Sequence, residues 1–399
     1  MKVLCIANDI PLPANSGGRV DVWRRLCALQ AAGHSLALLC WTDAGRVAPP
    51  SPDVIAQLER VCASVCVLPI TRRPTALVRR LLQLWRWPSH AASRAIAANG
   101  KGVEAWAQAF APDVVLLDGL YGGAVALRVS QQLKRPLWYR SHNIEHQYMA
   151  AQRTRESRFV RRLGLLANCL GLERFERGIM SRAERVLDIS QDDAKFWRNE
   201  GVRNVAWLPT LVDHAFASRL ASAADPPRFD VLYFGNLHTP NNVEAVTWLV
   251  HEVLSQIDNP SLRVAVAGSR PADLLREVLR HDKRITLIQN PEDMAAIVAQ
   301  ARVLVNPMLA GSGVNLKSVE MLFSGAALVS TSVGVGGLPA EAKACFAVAD
   351  TPELFAAAVM RGLAANPDVN ARHSVRMAFS PDAIATCFGR GALPVAASC

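Results

Sequence analysis

The stretch "LAGSGVNLKSVEMLFSGAALVST", residues 309–331, carries the pattern that decides the fold of this 399-residue chain. A glycine-rich turn (311–313) opens a segment with helical periodicity, which we predict to continue to Gly325. Apolar runs lie on both sides, "RVLVNP" before the turn and "AALVST" after the helix, and both predict buried strands. Strand, turn, helix and strand in this order are typical of a parallel α/β sheet, whose ligands bind beyond the carboxyl ends of the strands.

The same alternation covers the rest of the chain, which is long for a single core. The small, polar and proline-containing stretch "ASAADPPRFD" (221–230) predicts a linker. We therefore predict an α/β protein with two Rossmann-like parallel-sheet domains, residues 1–215 and 216–399, facing a central cleft, with the last helix free to pack back on the first domain. The further predicted strands are "KVLCIA", "HSLALLCW", "ASVCVLPI", "DVVLLDG", "PLWYRSHN" and "RVLDIS" in the first half and "VLYFGN", "LRVAVAG" and "ITLIQ" in the second.

Composition and cysteine usage place the chain among intracellular globular proteins. Hydrophobic residues make up 51% and charged residues 20% of the sequence, so no segment is biased enough to predict disorder. The nine cysteines are scattered without a disulfide framework or a zinc spacing, which favours reduced thiols in a cytosol. The opening "MKVLCIANDI" predicts a strand rather than a signal peptide, and no run reaches the ~18 apolar residues of a spanning helix.

Positive charge is concentrated in the first half. Residues 1–210 hold 29 Lys/Arg and 17 Asp/Glu, a balance of +12, whereas the remainder holds 15 and 17, a balance of −2. Residues 72–87 predict a basic amphipathic helix with tryptophans, and 153–166 form a second basic stretch within a long helix predicted over about 150–184. Either these are solvated surface helices, or the protein is peripheral at the anionic inner face of the plasma membrane. We find no nucleic-acid-binding module and expect no nucleic-acid partner.

The glycine turn at 311–313 predicts an anion site. Free N–H groups and the helix dipole favour phosphate at a helix start, and Lys317 adds a cation one turn later. Lys317 precedes Glu320, which is the less favourable order for a helical ion pair, and a cation near a helix N-terminus opposes the dipole. Both costs are offset if an anionic ligand binds here, although an ordinary surface ion pair remains the alternative. The Gly-Lys-Ser/Thr of an ATP-binding loop is absent.

Other glycine turns follow predicted strands. Gly17 and Gly18 precede a helix, Gly235 ends "VLYFG", and Arg270 lies in the turn "AGSRP" (267–271). Repeated turns of this kind fit a nucleotide diphosphate held by backbone amides, although the first alone is equally typical of a plain turn. The pattern is not G-x-G-x-x-G and no acidic residue ends the second strand, so a nicotinamide cofactor is not expected.

A polar cluster follows the strand "PLWY" in "RSHNIEHQYM" (140–149). His142 lies directly at the strand end, where it is suited to hydrogen bonding with a polar substrate, or else is structural. Glu145 and His146 follow, but without H-E-x-x-H or a third ligand cluster we expect no metal site.

The ordered blocks "PANSGGRVDVWRRL", "SHNIEHQYM", "YFGNLHTPNNVEAVTWL", "VNPMLAGSGVNLKSVEMLFSGAALVST" and "GVGGL" give the chain a resemblance, nearly end to end, to GT-B glycosyltransferases of the large retaining family-four group. In particular it resembles the branch found in bacterial exopolysaccharide and surface-glycan gene clusters. The resemblance implies a nucleotide-sugar donor, bound mainly by the C-terminal domain, without a metal or other cofactor.

By motif position, the resemblance implies that Glu320 binds the donor ribose, that Lys317 faces the diphosphate and that His142 touches the transferred sugar. Gly17 and Gly18 would close over the diphosphate. Further donor-binding residues implied in this way are Gly235, Arg270, Gly311, Ser312, Gly313, Val314, Asn315 and Leu316.

Two positions depart from the family pattern. Ser312 stands eight residues before Glu320, where the family has a carboxylate that contacts the sugar. The turn "GNLHTPNN" offers His238 in place of the usual Arg/Lys pair, which shifts phosphate neutralisation toward Lys317 and either Arg270 or, across the cleft, Arg19.

We therefore expect a hexosyltransferase that moves a sugar from a nucleotide-diphosphate sugar to a glycan or lipid-linked acceptor, with retention, in surface-polysaccharide synthesis. One alternative is a nucleotide-sugar epimerase on a similar two-domain scaffold. The other is a non-catalytic glycan-assembly subunit, for which Ser312 is the hint.

Overall fold

The computed structural model describes residues 1–45, 48–222, 227–368 and 370–388, and this chain forms two compact units. The first comprises Met1–Pro209 together with the helix that starts at Ile384, and the second comprises Thr210–Ala383. The division at 209/210 lies a few residues before the predicted boundary at 215/216. The predicted linker at 221–230 includes residues 223–226, which lie outside the described residues.

The first unit is built on a parallel seven-stranded sheet in the order β3-β2-β1-β4-β5-β6-β7. Strands such as "KVLCIA" are apolar on both faces because helices cover both sides of the sheet, so their residues are buried almost without alternation. Six of the seven strands were predicted. The strands are β1 (Lys2–Ala7), β2 (Ser35–Asp43), β3 (Ser64–Ile70), β4 (Val114–Asp118), β5 (Leu137–Ser141), β6 (Arg185–Asp188) and β7 (Val205–Trp207).

The helices of this unit differ from prediction in two places. The single long helix predicted over 150–184 is wrong, because the chain turns between three shorter helices and Gly171 takes a left-handed φ of 68°. The helix predicted over 72–87 ends at Leu81 and continues as turns. The helices are α1 (Gly17–Ala31), α2 (Pro52–Val61), α3 (Pro74–Leu81), α4 (Ser89–Ala98), α5 (Val103–Phe110), a 3-10 turn (Leu120–Gly122), α6 (Gly123–Leu133), α7 (Glu145–Arg155), α8 (Phe159–Cys169), α9 (Leu172–Met180) and α10 (Gln191–Asn199).

The second unit repeats the architecture with a parallel six-stranded sheet in the order β10-β9-β8-β11-β12-β13. Its predicted strands are confirmed, and two-residue β13 is added. The strands are β8 (Phe229–Asn236), β9 (Val264–Ser269), β10 (Ile285–Gln289), β11 (Ala301–Asn306), β12 (Ala327–Ser330) and β13 (Ala347–Val348). The helices are α11 (His214–Ser222), α12 (Pro240–Trp248), which continues as a π-helical and a 3-10 turn (Leu249–Val253, Leu254–Gln256), α13 (Asp273–Arg280), α14 (Met294–Val298), α15 (Leu316–Met321), α16 (Ala340–Lys343), α17 (Pro352–Ala364), α18 (His373–Ala378) and 3-10 turns at Asn370–Arg372 and Pro381–Ala383.

The final helix, α19 (Ile384–Phe388), belongs to the first unit. There the ring of Phe388 packs edge-on against Trp138 of β5, with ring centroids 5.1 Å apart.

The helix of the opening stretch begins later than predicted. Gly313 has a left-handed φ of 64°, which is incompatible with a right-handed helix. The side chain of Asn315 instead forms the N-cap and accepts a hydrogen bond from the backbone N–H of Lys317 at 3.2 Å. Residues 311–313 are therefore part of a loop ahead of α15, rather than its first turn.

Both sheets reverse strand order beside their first strand. In the first unit β1 lies between β2 and β4, and in the second unit β8 lies between β9 and β11. Crevices at such switch points, outside the carboxyl ends of the strands, are where open parallel sheets bind ligands. The two Rossmann-like sheets of the predicted fold are confirmed.

Candidate functional site

Lys317 is the central side chain of the candidate site in the second unit. It lies on α15 but turns inward, and only 7% of the residue is exposed. Its Nζ lies 3.3 Å from Asn306 Oδ1, at the end of β11, and 3.7 Å from the centroid of the Tyr233 ring on β8. The two strands that flank the switch point thus hold the ammonium group between an amide oxygen and an aromatic face, both of which favour a cation.

The hydrogen bonds of its amide nitrogen, Nδ2, hold the Asn306 side chain in one orientation. Its Nδ2 donates hydrogen bonds to Ser318 Oγ at 2.7 Å and to the backbone oxygen of Gly334 at 3.3 Å. Ser318 Oγ also donates to the Gly334 oxygen at 2.6 Å. Because the amide nitrogen is committed to these acceptors, Oδ1 faces Lys317.

Because Gly235 has no Cβ, the Lys317 side chain can pack directly against the backbone at this position. A Cβ at position 235 would lie 3.2 Å from Lys317 Cε, which is tighter than ordinary contact between carbon atoms. Next to it on β9, a Cβ at Gly268 would lie 1.8 Å from the Gly235 oxygen. The glycines at the ends of β8 and β9 therefore have a steric reason, which is close approach of backbone and lysine.

The electrostatics of Lys317 favour an anionic ligand. Burial lowers the pKa of its ammonium well below the usual lysine value, and the nearby Glu320 carboxylate opposes this shift only in part. Among the residues that the structure describes, no carboxylate lies within salt-bridge distance of Lys317 Nζ. An ammonium group has three donors, and the one hydrogen bond described for it goes to Asn306. A buried cation without a counter-ion is costly, and an anion bound beside it offsets that cost.

The other donor-binding residues predicted in the second unit lie at the same edge of this sheet. Gly311 and Ser312 are exposed in the loop after β11, and the partly buried residues 313–316 lead into α15. Arg270 is exposed directly after β9, where its backbone has a φ of 49° and its N–H donates to Asn290 Oδ1 at 3.0 Å. Glu320 is partly buried on α15, one turn after Lys317.

In the first unit, His142 forms part of a buried charged network. It follows β5, and its Nε2 lies 2.7 Å from Asp118 Oδ1 at the end of β4. The other oxygen of Asp118 accepts hydrogen bonds from Arg25 Nε at 3.0 Å and Nη2 at 2.6 Å. Arg25 Nη1 also donates to Asp21, at 2.8 Å, and Arg140 Nη2 lies 3.4 Å from the same Asp21 oxygen.

This network fixes the charge and the orientation around His142. Burial would raise the pKa of the Asp118 carboxyl, but Arg25 and His142 outweigh it and hold that pKa below its ordinary value. Asp118 is therefore ionised, and its Oδ1 accepts a hydrogen bond from the Nε2–H of the imidazole. The imidazole is 21% exposed, and its Nδ1 lies 3.8 Å from Asp21 Oδ2. In the neutral ring this arrangement makes Nδ1 an acceptor.

Gly17 and Gly18 are the first residues of α1, which also carries Asp21 and Arg25. Both are exposed, and a Cβ at either position would meet no atom within 4 Å. The structure thus gives no packing reason for glycine here, and leaves the backbone at the start of α1 open to close approach.

Glu145 and His146 have structural partners in the first unit. The carboxylate of Glu176, fully buried, accepts hydrogen bonds from the backbone N–H groups of both residues, at 2.8 and 3.1 Å, and lies 2.7 Å from His146 Nδ1. Tyr121 donates to Glu145 Oε1 at 2.7 Å. In the described part of the chain, no group of three His, Cys, Asp or Glu is arranged to hold a metal ion.

Sequence reasoning did not identify Asp118, Asn306 or Tyr233. Asp118 and Asn306 were visible as polar residues at the ends of apolar strands, beside the glycine turns. Gly119, directly after Asp118, has a φ of 85°, and a Cβ there would lie 2.3 Å from Asn8 Nδ2. Tyr233 carried no local signal, because its ring packs on a lysine 84 positions away.

The C-terminal sheet region matches a known family. Residues 228–365 match the family model described as glycosyl transferases, group 1. Over 369 residues the chain is 27% identical to an uncharacterized 44.6 kDa protein in the cps region of Klebsiella pneumoniae, with 89% of each chain covered.

Solved structures share the whole fold. The sucrose-phosphate synthase of Thermosynechococcus elongatus superposes with a TM-score of 0.66 at 17% identity, covering 98% of this chain and 97% of the other. Anabaena HepE, solved with UDP and glucose, gives 0.61 at 14% identity, covering 96% and 97%. The two sheets and their switch points thus have the fold of GT-B glycosyltransferases.

Proposed function

We propose that this enzyme transfers a hexose-type sugar from a nucleotide-diphosphate sugar to a glycan or lipid-linked acceptor, with retention of the anomeric configuration, in surface-polysaccharide synthesis. The observation that carries the proposal is the buried ammonium group of Lys317 at the switch point of the second sheet, with no salt-bridged carboxylate among the described residues. The nucleotides in the HepE structure and the cps-region relative support the donor class and the pathway class.

The chemistry requires stabilisation of a departing diphosphate. Negative charge develops on the leaving oxygen as the bond to the sugar breaks, and preorganised cations and N–H donors in a water-poor site stabilise it. We assign this role to Lys317, to the backbone of the loop 311–316 and to Arg270. With these positive groups, we expect the reaction to need no metal ion. Glu320, one turn after Lys317, is assigned to the ribose hydroxyls.

His142 is assigned to the transferred sugar. The Nε2–H of His142 donates a hydrogen bond to Asp118, so Nδ1 is not used in that bond and is suited to accept a hydrogen bond from a sugar hydroxyl. Arg25 and His142 keep the Asp118 carboxylate ionised, and the bond to Asp118 fixes the orientation of the ring. Gly17 and Gly18, with open space above them, are assigned to close contact with the diphosphate.

The first test is donor binding. We expect the apparent unfolding temperature of the purified protein to rise with one of the UDP-, GDP-, ADP- or TDP-linked sugars, because a ligand that binds only the native state stabilises it by mass action. Absence of a shift with all four classes contradicts the donor assignment.

The second test is turnover with the donor so identified. Incubation with glycan and lipid-linked acceptors should yield a product whose anomeric configuration matches the donor, measured by NMR. An inverted product contradicts retention. Conversion of the free donor without an acceptor would indicate an epimerase, and binding without any turnover would indicate a non-catalytic subunit.

A further inference from the structure

Two segments of the first unit expose large apolar side chains. The first is α3 with the turns after it, where Leu81 is 62%, Leu82 66% and Trp85 82% exposed. The second is α8, where Phe159 is 73%, Val160 81% and Leu163 48% exposed. Side chains of this size are normally buried, and several of them close together mark an interaction surface.

The two segments meet at the first turn of α4. Arg80 of α3 donates from Nε to Ser89 Oγ at 2.5 Å. The backbone N–H of His90 donates to Asn168 Oδ1 of α8 at 2.8 Å. Because Ser89 and His90 are consecutive, segments about eighty positions apart in sequence flank one point of the fold. We call residues 77–86 and 159–166 together the α3/α8 surface.

Positive charge surrounds this surface. Residues 72–86 contain five arginines and no acidic residue, and residues 153–162 contain five arginines and a single acid, Glu156. Ten arginines against one glutamate give these two segments a balance of +9, and of the ten, Arg72 is paired with Asp43 outside the segments. Arg79, Arg161 and Arg162 are exposed. A partner for such a surface combines apolar material with negative charge.

We propose that the α3/α8 surface binds the anionic surface of a phospholipid bilayer, with Trp85, Phe159 and Val160 inserted among the headgroups and the arginines on the lipid phosphates. Tryptophan and arginine suit this boundary, because each combines an apolar body with a polar end. None of the helices in the described ranges is long and apolar enough to cross a membrane. A symmetric second copy fits less well, since it would bring the same arginines face to face.

Membrane binding here does not depend on the proposed sugar transfer, although it brings the enzyme to a lipid-linked acceptor. The test is co-sedimentation of the whole protein with vesicles of phosphatidylcholine alone or mixed with phosphatidylglycerol. We expect binding to the mixed vesicles only, and weaker binding as salt is raised.

Two variants separate the apolar contribution to membrane binding from the electrostatic contribution. The triple change Leu82→Ser, Trp85→Ser and Val160→Ser removes exposed apolar groups, and the triple change Arg79→Gln, Arg161→Gln and Arg162→Gln removes charge. Each arginine near an anionic membrane contributes about fivefold in partitioning, so the charge variant should bind the mixed vesicles about 100-fold more weakly. The control carries Leu354→Ser, Arg280→Gln and Lys283→Gln, exposed positions of the second unit, and should bind like wild type.

Equal binding by both variants and wild type, or no binding to mixed vesicles, overturns the proposal. So does concentration-dependent dimerisation in analytical ultracentrifugation that the serine variant abolishes, because a second copy would then cover the surface. Donor-induced thermal stabilisation should be the same in all variants. If the wild-type protein is not stabilised by any donor, that result contradicts the proposed function and leaves the membrane proposal unaffected.

Discussion

Replacing Lys317 with methionine tests the candidate donor site most directly. Methionine keeps most of the side-chain length, so it removes the ammonium group without opening a large cavity. In the free protein, opposing effects nearly cancel. Removing a buried, unpaired charge is favourable by several kcal/mol. Against this, Asn306 Oδ1 loses its donor, a cost of about 1 to 3 kcal/mol, and the Tyr233 ring loses a cation–π contact of about 2 kcal/mol.

We therefore expect the free energy of unfolding of the ligand-free Lys317→Met protein to lie within about 2 kcal/mol of wild type. Donor binding should respond much more strongly. Truncating one partner of a buried charge pair costs about 2 to 5 kcal/mol, which corresponds to an increase in Kd of about 30- to 5,000-fold. Isothermal titration calorimetry with UDP-glucose, or whichever donor stabilises the protein, measures this ratio, and chemical unfolding measures the first quantity.

The pH dependence of donor affinity provides a second test of the role of Lys317. Burial lowers the pKa of Lys317, so part of the free protein holds a neutral amine at a pH where ordinary lysines are charged. A diphosphate diester binds the ammonium form, so donor affinity should fall as pH rises through the lowered pKa, with proton uptake on binding. Lys317→Met should abolish this dependence, whereas Lys283→Met, at an exposed site, should keep it. Wild-type affinity in the Lys317→Met protein would refute the reasoning.

Three other predictions concern single substitutions. Gly235→Ala places a methyl group 3.2 Å from Lys317 Cε, so we expect donor Kd to rise about tenfold, about 1.4 kcal/mol, by calorimetry. His142→Asn should lower kcat of sugar transfer about 10- to 100-fold through loss of one hydrogen bond to the sugar; an unchanged kcat would remove His142 from the site. Burial raises the pKa of Asp188 from 3.8 to about 7, so its contribution to stability is complete below the ordinary pKa and is lost as pH rises through about 7. In the wild-type protein the free energy of unfolding should therefore decrease between acid and neutral pH. In the Asp188→Asn protein this decrease should be smaller by on the order of 3 kcal/mol, measured by urea unfolding at each pH.

The sequence predicted the sheets because parallel strands are buried on both faces and read as apolar runs. β7 and β13 were missed, since three and two residues are too few to form a pattern. The long helix predicted over 150–184 failed at two places. Glu156 has extended backbone and ends α7, and Gly171 has left-handed backbone between α8 and α9, although the residues on both sides have helical periodicity.

The candidate site was predictable where residues follow strand ends, and less so where side chains meet across the sheet. Lys317 was identified from its place after the glycine turn. Its burial over Tyr233 follows from the register that sets β8 beside β11, for which the local sequence carries no signal. Asp118 likewise acquires its role only through the pairing of β4 with β5, which sets it beside the strand that His142 follows.

The amide at position 306 has a consequence for how this pocket distinguishes ligands. A neutral oxygen holds the lysine in place yet leaves its charge uncancelled, so the attraction reaches whatever enters from solvent. A carboxylate of the same shape would satisfy the lysine internally and repel a phosphate. In the proposed donor site, the attraction of Lys317 for an anion would therefore depend on one nitrogen atom, that of the Asn306 amide, which stands where an aspartate would carry an oxygen.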